Sequence, residues 1–211
     1  MVDENRRIVR QHRGMVMGRG GMVASAHPLA SSAGLQILRE GGNAADAILA
    51  AAGVTGVTVC GTNGLGGDMF CLYYDAKTRR LTGFNGSGAA PAAATVSEMR
   101  RRGLAHMPAR GPLTVTVPGA VDGYYALHDH FATMPMTRLW ADAIRHAETG
   151  HPLAQRTSAA IGMAMTELKD ESAWRTVYCA DGRAPRAAAT PSTGARSGAG
   201  SWRRCGSETG S

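Results

Sequence analysis

Two carboxylates, Asp46 and Asp68, stand 22 residues apart on either side of an Ala-, Gly- and Val-rich stretch. Paired carboxylates can do acid–base chemistry when their surroundings push one to hold a proton that the other has lost. The local sequence favours a structural reading of both. Asp46 lies three residues after Asn43, the spacing of a capping box, and Asp68 closes the turn Gly64-Leu65-Gly66-Gly67. That glycine-rich turn could be taken for a phosphate cradle. It lacks the Lys-Ser/Thr pair of a P-loop, however, and an apolar strand follows it instead of a helix, so it reads as a turn. His128-Asp129-His130 has metal-ligand residue types, but side chains two apart on a helix face different directions. The triplet reads as a solvated helix face, and neither a metal nor a cofactor is assigned. His27, before Pro28, reads as a turn histidine in preference to a pocket residue.

The elements that must position these residues follow from pattern. Residues 1–20 read as a mobile basic arm, and 21–28 as a short buried strand ended by proline. Residues 29–39 show helical apolar spacing with Gly41-Gly42 as the stop. Asn43 caps a helix over 44–58 whose small residues allow close backbone packing and whose lack of a polar face predicts burial. Residues 69–74 and 81–85 form a hairpin. A helix is predicted within 92–102 with Thr95 as cap, and a period-two stretch over 113–119 reads as extended. Helices follow over 121–131, 139–149 and 153–172. Beyond Tyr178 the chain turns to Ala, Gly, Ser, Arg, Thr and Pro without periodicity, so 180–211 is expected to be a disordered, low-complexity tail.

With 211 residues, 44% of them apolar, the chain can build one real core. Its net charge of +7 is concentrated at the ends: residues 1–20 and 180–211 carry +3 each, leaving +1 for 21–179. No basic face with placed readers is apparent, so a nucleic-acid partner is not expected. No run reaches membrane-spanning length, and no membrane partner is expected. Cys60, Cys71, Cys179 and Cys205 include no CxxC pair, which argues against a zinc site.

Four blocks carry a family resemblance: Gly42-Asn43-Ala44-Ala45-Asp46-Ala47, Gly64-Leu65-Gly66-Gly67-Asp68-Met69-Phe70, Val115-Thr116-Val117-Pro118-Gly119-Ala120-Val121, and Ala143-Ile144-Arg145-His146-Ala147-Glu148-Thr149-Gly150-His151-Pro152. In this order they resemble the front part of the large subunit of the gamma-glutamyltransferase (gamma-glutamyltranspeptidase) family, over residues 21–179. The resemblance implies an α+β chain that forms part, and an incomplete part, of an αββα N-terminal-nucleophile hydrolase sandwich. It also implies acyl transfer from a gamma-glutamyl or related amide to water or an amino acid, by a threonine freed through self-cleavage at the start of a small subunit. A threonine hydroxyl needs a neighbouring base, which a freed α-amino group supplies.

That threonine lies in a Thr-Thr-His type motif, which this sequence lacks, so no catalytic residue is assigned. The family also places an arginine a few residues before an Ala-Pro pair, where it binds the glutamyl carboxylate. Here the stretch is Asn85-Gly86-Ser87-Gly88-Ala89-Ala90-Pro91, without arginine. Neither Ser87 nor Ala89 can replace a bidentate guanidinium, so other acyl amides are expected in place of glutathione. Asn85 and Ser87 remain the candidate substrate-binding residues by position.

The leading expectation is thus an inactive fragment of such an enzyme, its tail resembling a GC-rich gene read in a shifted frame. The alternatives are a non-catalytic subunit that needs a small-subunit partner chain, and an interaction protein that binds polyanions through its ends. A cytoplasmic location is expected, unlike many exported or membrane-anchored members. Exposed sheet edges and an apolar face that lacks its small-subunit cover are expected to lower solubility.

Overall fold

The computed structural model describes residues 15–59, 62–109, 111–168 and 172–178. The mixed α+β chain runs α1 (Pro28–Arg39), α2 (Ala44–Thr58), β1 (Met69–Asp75), β2 (Arg80–Gly86), α3 (Val96–Arg101), a 3-10 turn (Pro112–Thr114), α4 (Ala120–Phe131), α5 (Met136–Leu139), α6 (Ala141–Thr149), α7 (Gln155–Glu167) and α8 (Ser172–Tyr178).

Local chemistry sets the first two helices. Proline occupies the opening turn of α1, where its missing N–H costs nothing, and the His27 ring accepts from the Leu29 N–H. At the other end Gly41 takes φ 93°. The Gly41 N–H donates to Leu38 O and the Gly42 N–H to Ile37 O, so the last carbonyls of α1 are satisfied in a Schellman arrangement. Asn43 then caps α2, its Oδ1 accepting from Ala45 N at 2.8 Å and Asp46 N at 3.0 Å.

Helix α2 is the spine of the fold. It packs on α1, α4, α5 and α6, while α4 also covers one face of the hairpin. Small residues make this closeness attainable: a methyl added at Gly34 would lie 2.8 Å from Ala47 O, and one at Gly53 would lie 3.0 Å from Cδ1 of Trp140. The central cluster joins Ile37, Leu49 and Ala50 to Met69, Tyr124, Leu127 and Leu139. Burying each of its larger side chains stabilises the fold by about 1.5–3 kcal/mol.

The hairpin is antiparallel, in register from Met69 opposite Gly86 to Asp75 opposite Arg80. Its turn is shaped by Asp75, which accepts from Lys77 N at 2.9 Å and Thr78 Oγ1 at 2.8 Å. One face of the hairpin, with Tyr73 and Phe84, lies against Phe131 of α4.

Four segments differ from expectation. Residues 21–28 are not a buried strand: no described partner strand pairs with them, Met22 is 59% exposed, and His27 is committed to capping α1. The alternating 113–119 stretch begins in a 3-10 turn and then runs extended, with Val117 N donating to Ala89 O and Gly119 N to Gly67 O. Residues 139–149 are interrupted at Trp140, which takes φ −97° and ψ 3° between α5 and α6. Helix α7 stops at Glu167, and the separate α8 was not anticipated. Residues 1–14 of the basic arm, Cys60, Cys179, Cys205 and the 180–211 tail lie outside the described residues.

Candidate functional site

Two of the four sequence blocks meet the 85–91 stretch at Asp68. It leaves the glycine turn just before β1, and its Oδ1 accepts from Ser87 Oγ at 3.1 Å, Gly88 N at 3.3 Å and Thr116 Oγ1 at 3.4 Å. The backbone reinforces the junction. Gly67 O accepts from Gly119 N at 3.2 Å and Ala120 N at 2.9 Å, which ties the turn to the start of α4.

Glycine is required here by proximity. A methyl on Gly119 would stand 2.5 Å from Gly86 O, and one on Gly88 would overlap the Val117 carbonyl oxygen. On α4, Gly123 presents its bare face to Met69 and Gly86. Backbones that approach so closely cannot shift independently, so the Ser87 and Thr116 hydroxyls keep a fixed relation.

Asn85 is the outward residue at the end of β2, opposite Phe70, and its Oδ1 accepts from Ser87 N at 3.0 Å. The structure therefore brings the two candidate residues Asn85 and Ser87 together with Asp68 and Thr116, all on the surface or partly buried. A shallow, open depression beside them is lined by Phe70, Cys71, Leu72, Gly83, Phe84 and Asn85. Phe70, Leu72, Tyr74 and Leu81 of the same sheet face are 58–76% exposed. Polar donors and acceptors at the rim of an apolar surface can orient an amide substrate. Among the described residues, no threonine in this cluster is followed by a histidine as in the Thr-Thr-His motif.

Asp46 belongs to a different centre. It is fully buried, and its two oxygens accept from Asn43 N at 2.8 Å, Thr133 N at 2.9 Å, Thr133 Oγ1 at 2.7 Å and Met134 N at 3.0 Å. Asn43 Nδ2 completes this clasp by donating to Phe131 O at 2.7 Å. Burial pushes the Asp46 carboxyl up, but the hydrogen bonds from Thr133, Asn43 and Met134 together outweigh it and hold the group below the usual carboxylate range. Asp46 and Asp68 share no partner. Asp46 has the helix-start role that its local sequence favoured, whereas Asp68 bonds Ser87, Gly88 and Thr116 and the glycine turn is closed by Gly67 N donating to Gly64 O.

The histidine triplet divides as helix geometry requires. His128 Nε2 lies 3.0 Å from Met134 O and Nδ1 lies 3.0 Å from Asp129, while His130 Nδ1 lies 2.7 Å from Ala126 O. His128 is half-buried and anchors the 132–134 connection, so it is not part of a freely solvated face. Its pKa is raised, chiefly by Asp129. Among the described residues, no group of three or more His, Cys, Asp or Glu side chains is set to hold a metal ion. Burial raises the Cys71 thiol pKa, which favours the protonated form.

Thr116 was not singled out from sequence. Its hydroxyl reaches Asp68 across 48 residues, and period-two alternation carries no information about such a contact.

Comparison with known proteins accounts for the convergence of these blocks. The family described as Gamma-glutamyltranspeptidase matches residues 30–193, extending past Tyr178, where the composition changes. The oxamate amidohydrolase proenzyme of Klebsiella pneumoniae is 38% identical over 172 residues, covering 79% of this chain and 32% of that protein. The glutathione hydrolase proenzyme of Bacillus subtilis is 35% identical over 155 residues, covering 72% of this chain and 26% of that protein. Among solved structures, the cephalosporin acylase of Bacillus halodurans superposes with a TM-score of 0.79 at 35% identity, over 89% of this chain and 36% of that one. The chain thus spans about a third or less of the length of the curated relatives it matches.

Proposed function

The chain belongs to the gamma-glutamyltranspeptidase family, and from that membership we propose that it contributes one wall of an acyl-amide site whose threonine nucleophile comes from a segment outside these 211 residues. Its own residues would orient the substrate. The Ser87 and Thr116 hydroxyls, fixed by Asp68, and the Asn85 amide would face the acyl group at the edge of the apolar sheet surface. The threonine hydroxyl would attack the amide carbonyl, the amine would leave with a proton, and water or an amino acid would take the acyl group. The carrying observation is the convergence of two family blocks and the 85–91 stretch on one carboxylate oxygen, Asp68 Oδ1.

The substrate class we favour is a short acyl amide outside the glutathione type. No arginine lies in 85–91 to pair with a glutamyl carboxylate. Relatives are named for oxamate and cephalosporin as well as for glutathione, so the family scaffold accommodates several amides.

A non-catalytic subunit that binds a partner chain is the second reading. It is favoured by the exposed side chains of Phe70, Leu72, Tyr74 and Leu81, an apolar sheet face suited to a second layer. A cytoplasmic location is the matching proposal for the cell. Fractionation tests it, and recovery in a membrane or extracellular fraction would overturn it.

To test the function, the purified chain is assayed on oxamate, glutathione, a gamma-glutamyl anilide and an acylated cephalosporin nucleus, alone and co-expressed with a chain carrying a Thr-Thr-His segment. The chain alone is expected to be inert and the pair to turn over a non-glutathione amide. Turnover by the chain alone, abolished by replacing a threonine within 21–178, would refute the division of labour.

A further inference from the structure

We propose that His27, His146 and His151 form an acid-released latch that, while uncharged, holds the start of α1, the last turn of α6 and the segment leading into α7 together. His27 comes from a position far in sequence from His146 and His151, and the rings meet edge to face. His151 lies 6.4 Å from His27 and 6.4 Å from His146 between ring centres. His27 and His146 are 6% and 7% exposed.

Two of the rings use a lone pair that a proton would remove. The Leu29 N–H donates to His27 Nδ1 at 3.2 Å, as the cap of α1. A guanidinium can only donate, so the 3.5 Å approach of Arg145 Nη2 makes His146 Nε2 an acceptor. His151 Nδ1 lies 3.2 Å from Pro152 O, a carbonyl that can only accept, so that nitrogen carries its hydrogen. Protonating His27 turns the capping nitrogen into an N–H facing another N–H. Protonating His146 places a cation against Arg145.

The charged groups around the latch offer little relief. Asp142, on α6, is the neighbouring anion, but it already accepts from Arg145 at 2.7 Å. The α6 C-terminus favours a cation at His146, and the adjacent Arg145 opposes one. Helix α2, packed on both α1 and α6, carries one charged residue, Asp46, which is engaged at Thr133 and Met134. Burial lowers the pKa of His27, with His151 adding to the effect. At His146 burial acts first, then Arg145 and His151. Folded values below that of free histidine mean that the unfolded chain binds more protons. The latch is therefore intact above about pH 6.5 and weakens as pH falls through that value towards the folded pKa values.

The test is amide hydrogen exchange on the full 211-residue chain between pH 5.5 and 7.5, corrected for intrinsic exchange rates. Between these limits, protection in 28–31 and 151–158 should fall by about tenfold or more, as expected for one or more histidines taking up a proton on opening. Residues 48–54 in α2 should keep their protection. His27→Asn with His146→Gln retains both acceptors without titration and should abolish the local loss. Equal loss across α2, or the same local loss in the double variant, would overturn the latch. Should that variant not fold at pH 7.5, the wild-type histidine resonances decide. His27 and His146 both titrating below free histidine uphold the latch, and either at or above it overturns it.

Discussion

Replacing Asp46 gives the sharpest test of what holds the fold together. Asp46→Ala removes the acceptor for three backbone N–H groups and one hydroxyl at a fully buried position. Hydrogen bonds to a charged group contribute about 1.5–3 kcal/mol each, but they do not add independently once one partner is gone. Emptying a buried, hydrogen-bonded charge site typically costs about 3–5 kcal/mol, so a loss of about 4 kcal/mol is expected. For a chain of this size that lowers the melting midpoint by roughly 8–16 °C. Asp46→Asn keeps one oxygen for Thr133 and Met134 but turns an amide N–H2 towards Asn43, and should lose about half as much. The assay is equilibrium urea unfolding at pH 7, with unchanged m-values required for comparison. Because the folded pKa is depressed, the contribution of Asp46 is full above the ordinary carboxylate range and is lost as pH falls through the folded value. The wild type should therefore approach Asp46→Asn in stability only in strong acid. A loss below about 1 kcal/mol for Asp46→Ala would refute the clasp as a principal restraint.

Other expectations follow from the same geometry. Gly88→Ala collides with the Val117 carbonyl and should destabilise by about 3 kcal/mol or force 86–88 away from 117–119, detectable as lost protection at the Val117 amide. Gly56→Ala meets nothing within 4 Å in the last turn of α2 and should stabilise by up to about 1 kcal/mol in the same unfolding assay. Leu72→Glu, on the exposed sheet face, should raise the soluble fraction of the chain expressed alone with less than about 0.5 kcal/mol change in stability. The same substitution should block association with a partner chain in a pull-down. Asp68→Ala breaks only surface or partly buried bonds, so stability should change by about 1 kcal/mol or less while any co-expressed activity falls.

Much of the fold was legible where chemistry is local. Asn43 and Asp46 announce a capping box, and the bounds of α2 follow from it and from its uninterrupted small apolar residues. The hairpin shows in two apolar runs around Asp75-Ala76-Lys77-Thr78. Periodicity misled where it had no partner to report on. Residues 113–119 alternate, but only 115–119 lie extended against the 86–89 backbone, and no described strand completes a ladder there. Residues 21–28 are apolar enough for a strand, but the capping role of His27 belongs to the helix that follows. The site was half legible. The glycine turn before Asp68 was readable, but the bonds of Asp68 to Ser87 and Thr116 span 19 and 48 residues, beyond the reach of any spacing rule. The His27–His146–His151 meeting is hidden for the same reason.

The Asp46 clasp also bears on the order in which the chain assembles. Its bonds to Thr133 and Met134 close a loop of 87–88 residues, whereas α1 and α2 meet across a turn of four residues. Closing the longer loop costs about 4 kcal/mol of chain entropy before its bonds return anything. The α1–α2 pair is therefore the natural nucleus, and the clasp sets late, after α4 has docked on the hairpin. A late restraint governs departure from the native state more than arrival. Stopped-flow measurements should find Asp46→Ala unfolding faster while its refolding rate stays close to that of the parent chain.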